Sequence, residues 1–79
     1  SGKYDEAWKC FEGGLKKHPT NIAALYGKGI SLRKLGKYDE AWKCFDELLQ
    51  LKLSKDMKIK ALNGKGWIKY DLGEYTEAI

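Results

Sequence analysis

One histidine, two cysteines and eleven acids are all that this sequence offers to covalent or metal chemistry. General base catalysis and metal binding both need such groups to converge. His18 stands alone before Pro19, with no second histidine and no acidic cluster near it in the sequence. Cys10 and Cys44 are 34 positions apart, which does not match zinc-ligand spacing. No glycine-rich loop follows a strand-like segment, so a phosphate cradle is not expected either. The reading is therefore no catalytic residue, no metal and no cofactor, and any function must be non-covalent binding. The charged residues bear on that. The net charge is +4, and residues 13–35 carry Lys16, Lys17, Lys28, Arg33 and Lys34 with no acid among them. Such a surface attracts acidic partners; the plainer reading is a solvated helix face that keeps the chain soluble.

The elements that would position these residues are set by an internal repeat. Gly2-Lys-Tyr-Asp-Glu-Ala-Trp-Lys-Cys-Phe11 recurs unchanged as Gly36-Lys-Tyr-Asp-Glu-Ala-Trp-Lys-Cys-Phe45, and Gly73-Glu-Tyr-Thr-Glu-Ala-Ile79 opens a looser third copy. Identity over ten residues in so short a chain makes the repeat the first fact to explain. Tyr38, Ala41, Trp42, Phe45, Leu48 and Leu49 recur in steps of three and four, one face of an α-helix. A glycine ahead of each copy suits the left-handed residue that closes a preceding helix. With 13% aromatic and 43% apolar residues the chain can pack. At 79 residues it makes one small domain, which buries only about 60% of its unfolded surface.

Four helices are expected, over residues 3–16, 22–35, 38–53 and 57–72. Pro19 stops the first, and Thr20 or Asn21 caps the second with a side-chain oxygen. In the second helix Leu25, Gly29 and Leu32 form one stripe, with Tyr26, Ile30 and Arg33 beside it. Glycine within a helix is costly, so Gly27 or Gly29 should allow close helix approach. Ala24-Leu-Tyr-Gly-Lys-Gly29 aligns with Ala61-Leu-Asn-Gly-Lys-Gly66 at an offset of 37, so three residues are inserted around residues 51–57. Ser54 or Asp56 then caps the last helix, whose core stripe is read as Leu62, Gly66, Lys69 and Leu72, and Gly73 closes it.

The 34-residue helix–turn–helix unit resembles the tetratricopeptide repeat. With Ile22 as the first place, Gly29, Gly36, Tyr38, Ala41 and Phe45 fall on the family's signature places, and Pro19 matches its closing proline. Gly66, Gly73, Tyr75 and Ala78 match in the third unit. Leu25 and Leu62 stand where the family has a tryptophan, Lys28 and Lys65 where it has a leucine, and Leu53 where it has proline. The resemblance implies an all-α fold of antiparallel helix–turn–helix repeats in a right-handed α-solenoid. It divides the single domain into 1–21, the second helix of one repeat, 22–55, a complete repeat, and 56–79, a first helix and the start of a second. The chain so divided reads as a fragment of a longer array.

What the resemblance implies about function is a protein–protein interaction scaffold with a concave groove that holds a peptide or partner segment. Carried over by position, the groove residues are Tyr26, Ile30, Arg33 and Lys34 from one helix, and Lys60, Asn63, Trp67, Tyr70 and Asp71 from the next. Trp67 is the leading contact candidate, because aromatic anchors dominate binding hot spots; the opposing reading buries it as core. Trp8 and Trp42 lie on the repeated stripe and read as structural. Tyr26 and Ile30 do not match the clamp of the family's chaperone-tail binders, so that specificity is not implied. Two alternatives stand beside the scaffold. One is single-stranded RNA binding, with groove aromatics for stacking; acids spread along the repeated helices and the modest charge weigh against it. The other is a self-stacking module, since the helix at 3–16 and the segment at 73–79 offer each other's missing neighbour. No apolar run approaches the roughly 20 residues that span a membrane. Equivalent helices would hold Cys10 and Cys44 about 10 Å apart, too far for a disulfide, and free thiols suit a reducing compartment, the cytoplasm.

Overall fold

A single left-handed residue divides the centre of the chain into two helices. Gly36 has φ +80°, the one positive φ among the described residues. Around it the Lys37 amide donates to the Leu32 carbonyl at 2.9 Å and the Gly36 amide to the Arg33 carbonyl at 3.0 Å. This Schellman pair satisfies carbonyls that the helix end would otherwise leave open. The computed structural model describes residues 2–77, with side chains described through residue 73. It contains α1 (Gly2–Lys17), α2 (Ile22–Lys34), α3 (Tyr38–Leu49) and α4 (Lys55–Glu77), and no strand among the described residues. Consecutive helices pack side by side, and α4 also reaches α2.

Each start has a local cause. The Asn21 side chain accepts the Ala24 amide at 3.0 Å and caps α2, and the Ser54 hydroxyl oxygen accepts the Met57 amide at 3.2 Å to cap α4. The N-cap of α3, Lys37, makes no side-chain bond; Asp39 and Glu40 in the first turn complement the helix dipole there.

Two boundaries differ from expectation by more than two residues. α3 ends at Leu49, not at residue 53, with Gln50 as its C-cap. The inserted residues are taken up in a non-helical connection that lets Leu51, Leu53 and Met57 pack against the core. Nor does Gly73 close α4, which runs on to Glu77. A left-handed turn is favoured when the following segment packs back, as α3 does after Gly36. Among the described residues no segment packs back onto α4 after Gly73, and its helical hydrogen bonding continues.

The core forms where α3 lies between α2 and α4. Leu32, Ala41, Phe45, Leu48 and Ala61 have no exposed surface, and Ile68 has 1%. The tip of the Phe45 ring fits between two glycines. A Cβ on Gly29 would come within 2.9 Å of the ring, and one on Gly64 within 2.6 Å. Phe11, the repeat's earlier copy, lies in the same way over Gly27, at 2.5 Å. These helical glycines forfeit helix propensity so that an aromatic ring can reach the neighbouring backbone.

The α4 core stripe differs from the expected one. Ala61, Gly64 and Ile68 are buried, whereas Leu62, Gly66, Lys69 and Leu72 are exposed. Leu62 is 53% exposed, against 3% for its counterpart Leu25. Leu25 belongs to the buried core cluster, on a helix packed against both α1 and α3, and Leu62 does not.

Gly64 and Gly66 therefore predict opposite effects of one substitution. In Gly64→Ala the methyl meets a ring that Gly29 blocks from behind. Overpacking of about 1–3 kcal/mol then exceeds the roughly 1 kcal/mol a helix gains from alanine. Gly66→Ala meets open space and should gain about 0.5–1 kcal/mol. Thermal melts should move in opposite directions; equal shifts would show that Phe45 does not occupy the slot.

Candidate functional site

The groove positions meet where α2 and α4 approach each other. Arg33, in the last turn of α2, donates from Nε to Asp71 Oδ2 at 2.9 Å and from Nη2 to Oδ1 at 3.5 Å. This two-pronged bond fixes the guanidinium plane, which lies 5.5 Å from the centre of the Trp67 ring. Trp67 in turn meets Tyr70 edge to face, with centroids 5.9 Å apart and planes at 87°. Asp71, Arg33, Trp67 and Tyr70 thus form a fixed series of contacts. A guanidinium over an indole face adds about 0.5–1 kcal/mol at such an exposed site.

Trp67 is 53% exposed and Tyr70 55%, so neither ring is spent on the core. With Leu62, Asn63 and Gly66 they line a shallow cleft of about 380 Å³. Lys60 and Asn63 are exposed along the same helix, and Lys34 is exposed at the end of α2.

Other expected groove residues are used differently. Tyr26 is half-buried, its ring 6.1 Å from that of Phe45 in an edge contact, and Ile30 is half-buried against the core. They form the floor, while α4 provides the exposed rings. Trp8 and Trp42 are also half-buried, and lysines lie over both: Lys37 over Trp8 at 5.3 Å, Lys65 and Lys69 over Trp42 at 4.4 and 5.7 Å. The Trp8 indole also donates to Asp5 at 3.2 Å.

Much of the basic run is already paired. Lys28 bridges to Glu12 at 3.4 Å, and its counterpart Lys65 bridges to Asp46, the counterpart of Glu12. With Arg33 held by Asp71, the exposed cations left in that run are Lys16, Lys17 and Lys34. The recurrence of the Lys28–Glu12 pair was open to detection from the two offsets, 37 and 34. The Arg33–Asp71 fork was not, since it joins two different places of the repeat. His18 is exposed in the turn before α2, and among the described residues no three His, Cys, Asp or Glu side chains converge.

Models of the tetratricopeptide repeat match residues 10–43 and 29–79. The chain belongs to the tetratricopeptide repeat family. No curated protein and no solved structure matches it. Tetratricopeptide repeats generally serve as non-catalytic scaffolds for protein–protein interaction. No described helix is long and apolar enough to cross a membrane.

Both cysteines of this tetratricopeptide repeat chain are free thiols, Cys10 exposed and Cys44 buried. Burial raises the Cys44 thiol above its ordinary 9.0; Lys28 pulls it down, and Glu47, Glu40 and Glu12 push it up. A thiol reagent should therefore modify Cys10 at once and Cys44 only as the fold opens. The folded state holds the Cys44 proton more tightly than the unfolded chain does. This contribution is accordingly complete below pH 9 and is lost as pH rises through the higher folded value. Two equally fast thiols, or Cys44→Ala leaving the alkaline melting profile unchanged, would contradict that placement.

Proposed function

We propose that this chain is a protein–protein interaction module that holds a peptide segment along the face shared by α2 and α4. The supporting observation is the Arg33–Trp67–Tyr70 stack, set by Asp71, which presents two half-exposed rings in a fixed orientation. Rigid aromatic surface binds at low entropic cost. A leucine or aromatic side chain fits the cleft beside Trp67. Lys34 and Lys60 favour acids flanking that anchor. No catalytic step is assigned. Two free thiols suit a reducing compartment such as the cytoplasm.

The open faces of α1 and α4 favour a second reading, end-to-end association of copies. No residue of α1 is buried, and Ile59, Leu62 and Leu72 of α4 are about half exposed.

Binding is tested with labelled peptides carrying a central leucine or tryptophan between acidic residues, and with a single-stranded RNA oligomer as competitor. Trp67→Ala should weaken the best peptide at least about fivefold, the 1 kcal/mol of a hot-spot contact, and lower the melting temperature only by the few degrees that losing its contacts with Arg33 and Tyr70 costs. Unchanged affinity, or RNA bound more tightly than any peptide with a steep salt dependence, would overturn the groove reading.

A further inference from the structure

The net charge of this chain is gathered along one rim of its helices. Consecutive helices pack side by side through short connections, so neighbours run antiparallel. The end of α1, the start of α2, the end of α3 and the start of α4 therefore lie on the same side. Residues 14–21 and 50–58 form that rim, with Lys16, Lys17, Lys52, Lys55 and Lys58 against the single acid Asp56. Its charge equals the +4 of the whole sequence, whose other ten cations and ten acids balance.

These lysines differ from the cations that the fold engages. Lys28, Arg33 and Lys65 are held in ion pairs, and Lys37 and Lys69 lie over indole rings. All five rim lysines are exposed, and none pairs with a described acid.

The three-residue insertion builds much of the rim. At the offset of 37, Lys58 is the counterpart of Asn21, the N-cap of α2. Yet α4 begins at Lys55, so its first turn projects past the level at which α2 starts. Lys55 and Lys58, three apart, share a face of that turn. Leu51, Leu53 and Met57 pack against the core and fix the segment, which leaves Lys52, Lys55 and Lys58 to solvent. Helix stability does not explain them. Lys16 and Lys17 complement the C-terminal end of the α1 dipole, whereas cations in the first turn of α4 oppose its N-terminal end. Asp56 offsets only part of that opposition, and a local rule broken without full compensation points to function.

We propose that this rim is a docking surface separate from the α2–α4 groove, and that its partner is a polypeptide segment rich in aspartate and glutamate. The rim has no arginine, so it lacks the fork that grips phosphate through two oxygens. It has no phenylalanine, tyrosine or tryptophan on which a base would stack. Its larger apolar residues, Leu15, Leu51, Leu53 and Met57, are packed on the core, so none is free to enter a membrane. What remains is a row of point charges, which carboxylates along a chain match. With helix axes about 8–10 Å apart, four successive ends extend at most about 30 Å, the reach of roughly nine extended residues.

The probe is a labelled peptide of about ten glutamates, followed by fluorescence anisotropy. It should bind the 79-residue chain at low salt and be released as salt rises. Lys52→Gln, Lys55→Gln and Lys58→Gln together should weaken it at least about tenfold without lowering the melting temperature. Lys3→Gln, Lys9→Gln and Lys43→Gln remove the same charge from exposed places outside the rim, and should change affinity by less than about twofold. Equal losses from the two triples, or no binding at low salt, overturn the rim. A lower melting temperature for the rim triple makes its lysines part of the fold and overturns the rim as well. Tighter binding of a DNA duplex or of phosphatidylserine vesicles, lost in the rim triple, overturns the acidic segment as the partner. The rim is independent of the groove, so Trp67→Ala should leave polyglutamate binding unchanged. A loss there places the acids in the groove and overturns the rim.

Discussion

The fold depends on one ring between two backbones. The Phe45 tip touches α2 at Gly29 and α4 at Gly64, so a single side chain sets how closely three helices pack. No other residue type at those two places leaves room for it. The glycines lower helix propensity in α2 and α4 by about 1 kcal/mol each. Burying a phenylalanine contributes about 1.5–3 kcal/mol before its packing is counted. Ala41 and Ala61, also without exposed surface, extend the close approach along the same helices. The interaction is repeated by Phe11 and Gly27: the ring, its spacing and its partner glycine form one unit of fit.

Charge settles register more than stability. Lys28–Glu12 and Lys65–Asp46 recur at the same place in successive interfaces, and exposed pairs of this kind contribute about 0–1 kcal/mol. Their value lies in direction, because a helix displaced by a turn would lose the pair. The same economy governs the groove. Arg33 is held by Asp71, so it acts on Trp67 as a fixed support and less as a free charge for a ligand. An electropositive stretch in sequence has become, in three dimensions, largely a set of internal bonds.

Helix number, order and the 34-residue unit were legible because the repeat displays them twice and the periodicity is strong. The caps were legible to within two residues, and Asn21 and Ser54 prevailed because each oxygen lies at bonding distance from an amide three residues on. Three features were not legible. The end of α3 depends on whether Leu51 and Leu53 do better in the helix or against the core, which local propensity does not decide. The end of α4 depends on whether a packed partner follows Gly73. The α4 core stripe failed for a related reason: sequence identity with α2 predicts burial only where the same neighbours are present. Of the residues expected to line a groove, Trp67 and Tyr70 are exposed, while Tyr26 and Ile30 are half-buried against Phe45 and the core.

α4 carries two surfaces that share residues. Leu62 and Gly66 line both the cleft beside Trp67 and the open end beside Trp42. Trp67 stands at the boundary between them. Its counterpart Ile30 is half-buried on α2, which packs against α1 and α3, whereas α4 among the described residues packs against α3 and touches α2 less extensively. A helix laid across Gly66 would therefore cover Leu62, turn the cleft from an open ledge into a walled groove, and leave Trp67 and Tyr70 facing α2. A peptide and a helix that both used α4 would for that reason share Leu62 and Gly66. A peptide seated over Leu62 competes with a second copy, whereas one confined to Arg33, Trp67 and Tyr70 gains a wall from it. Which of these holds is set by how far toward Gly66 the anchoring side chain reaches.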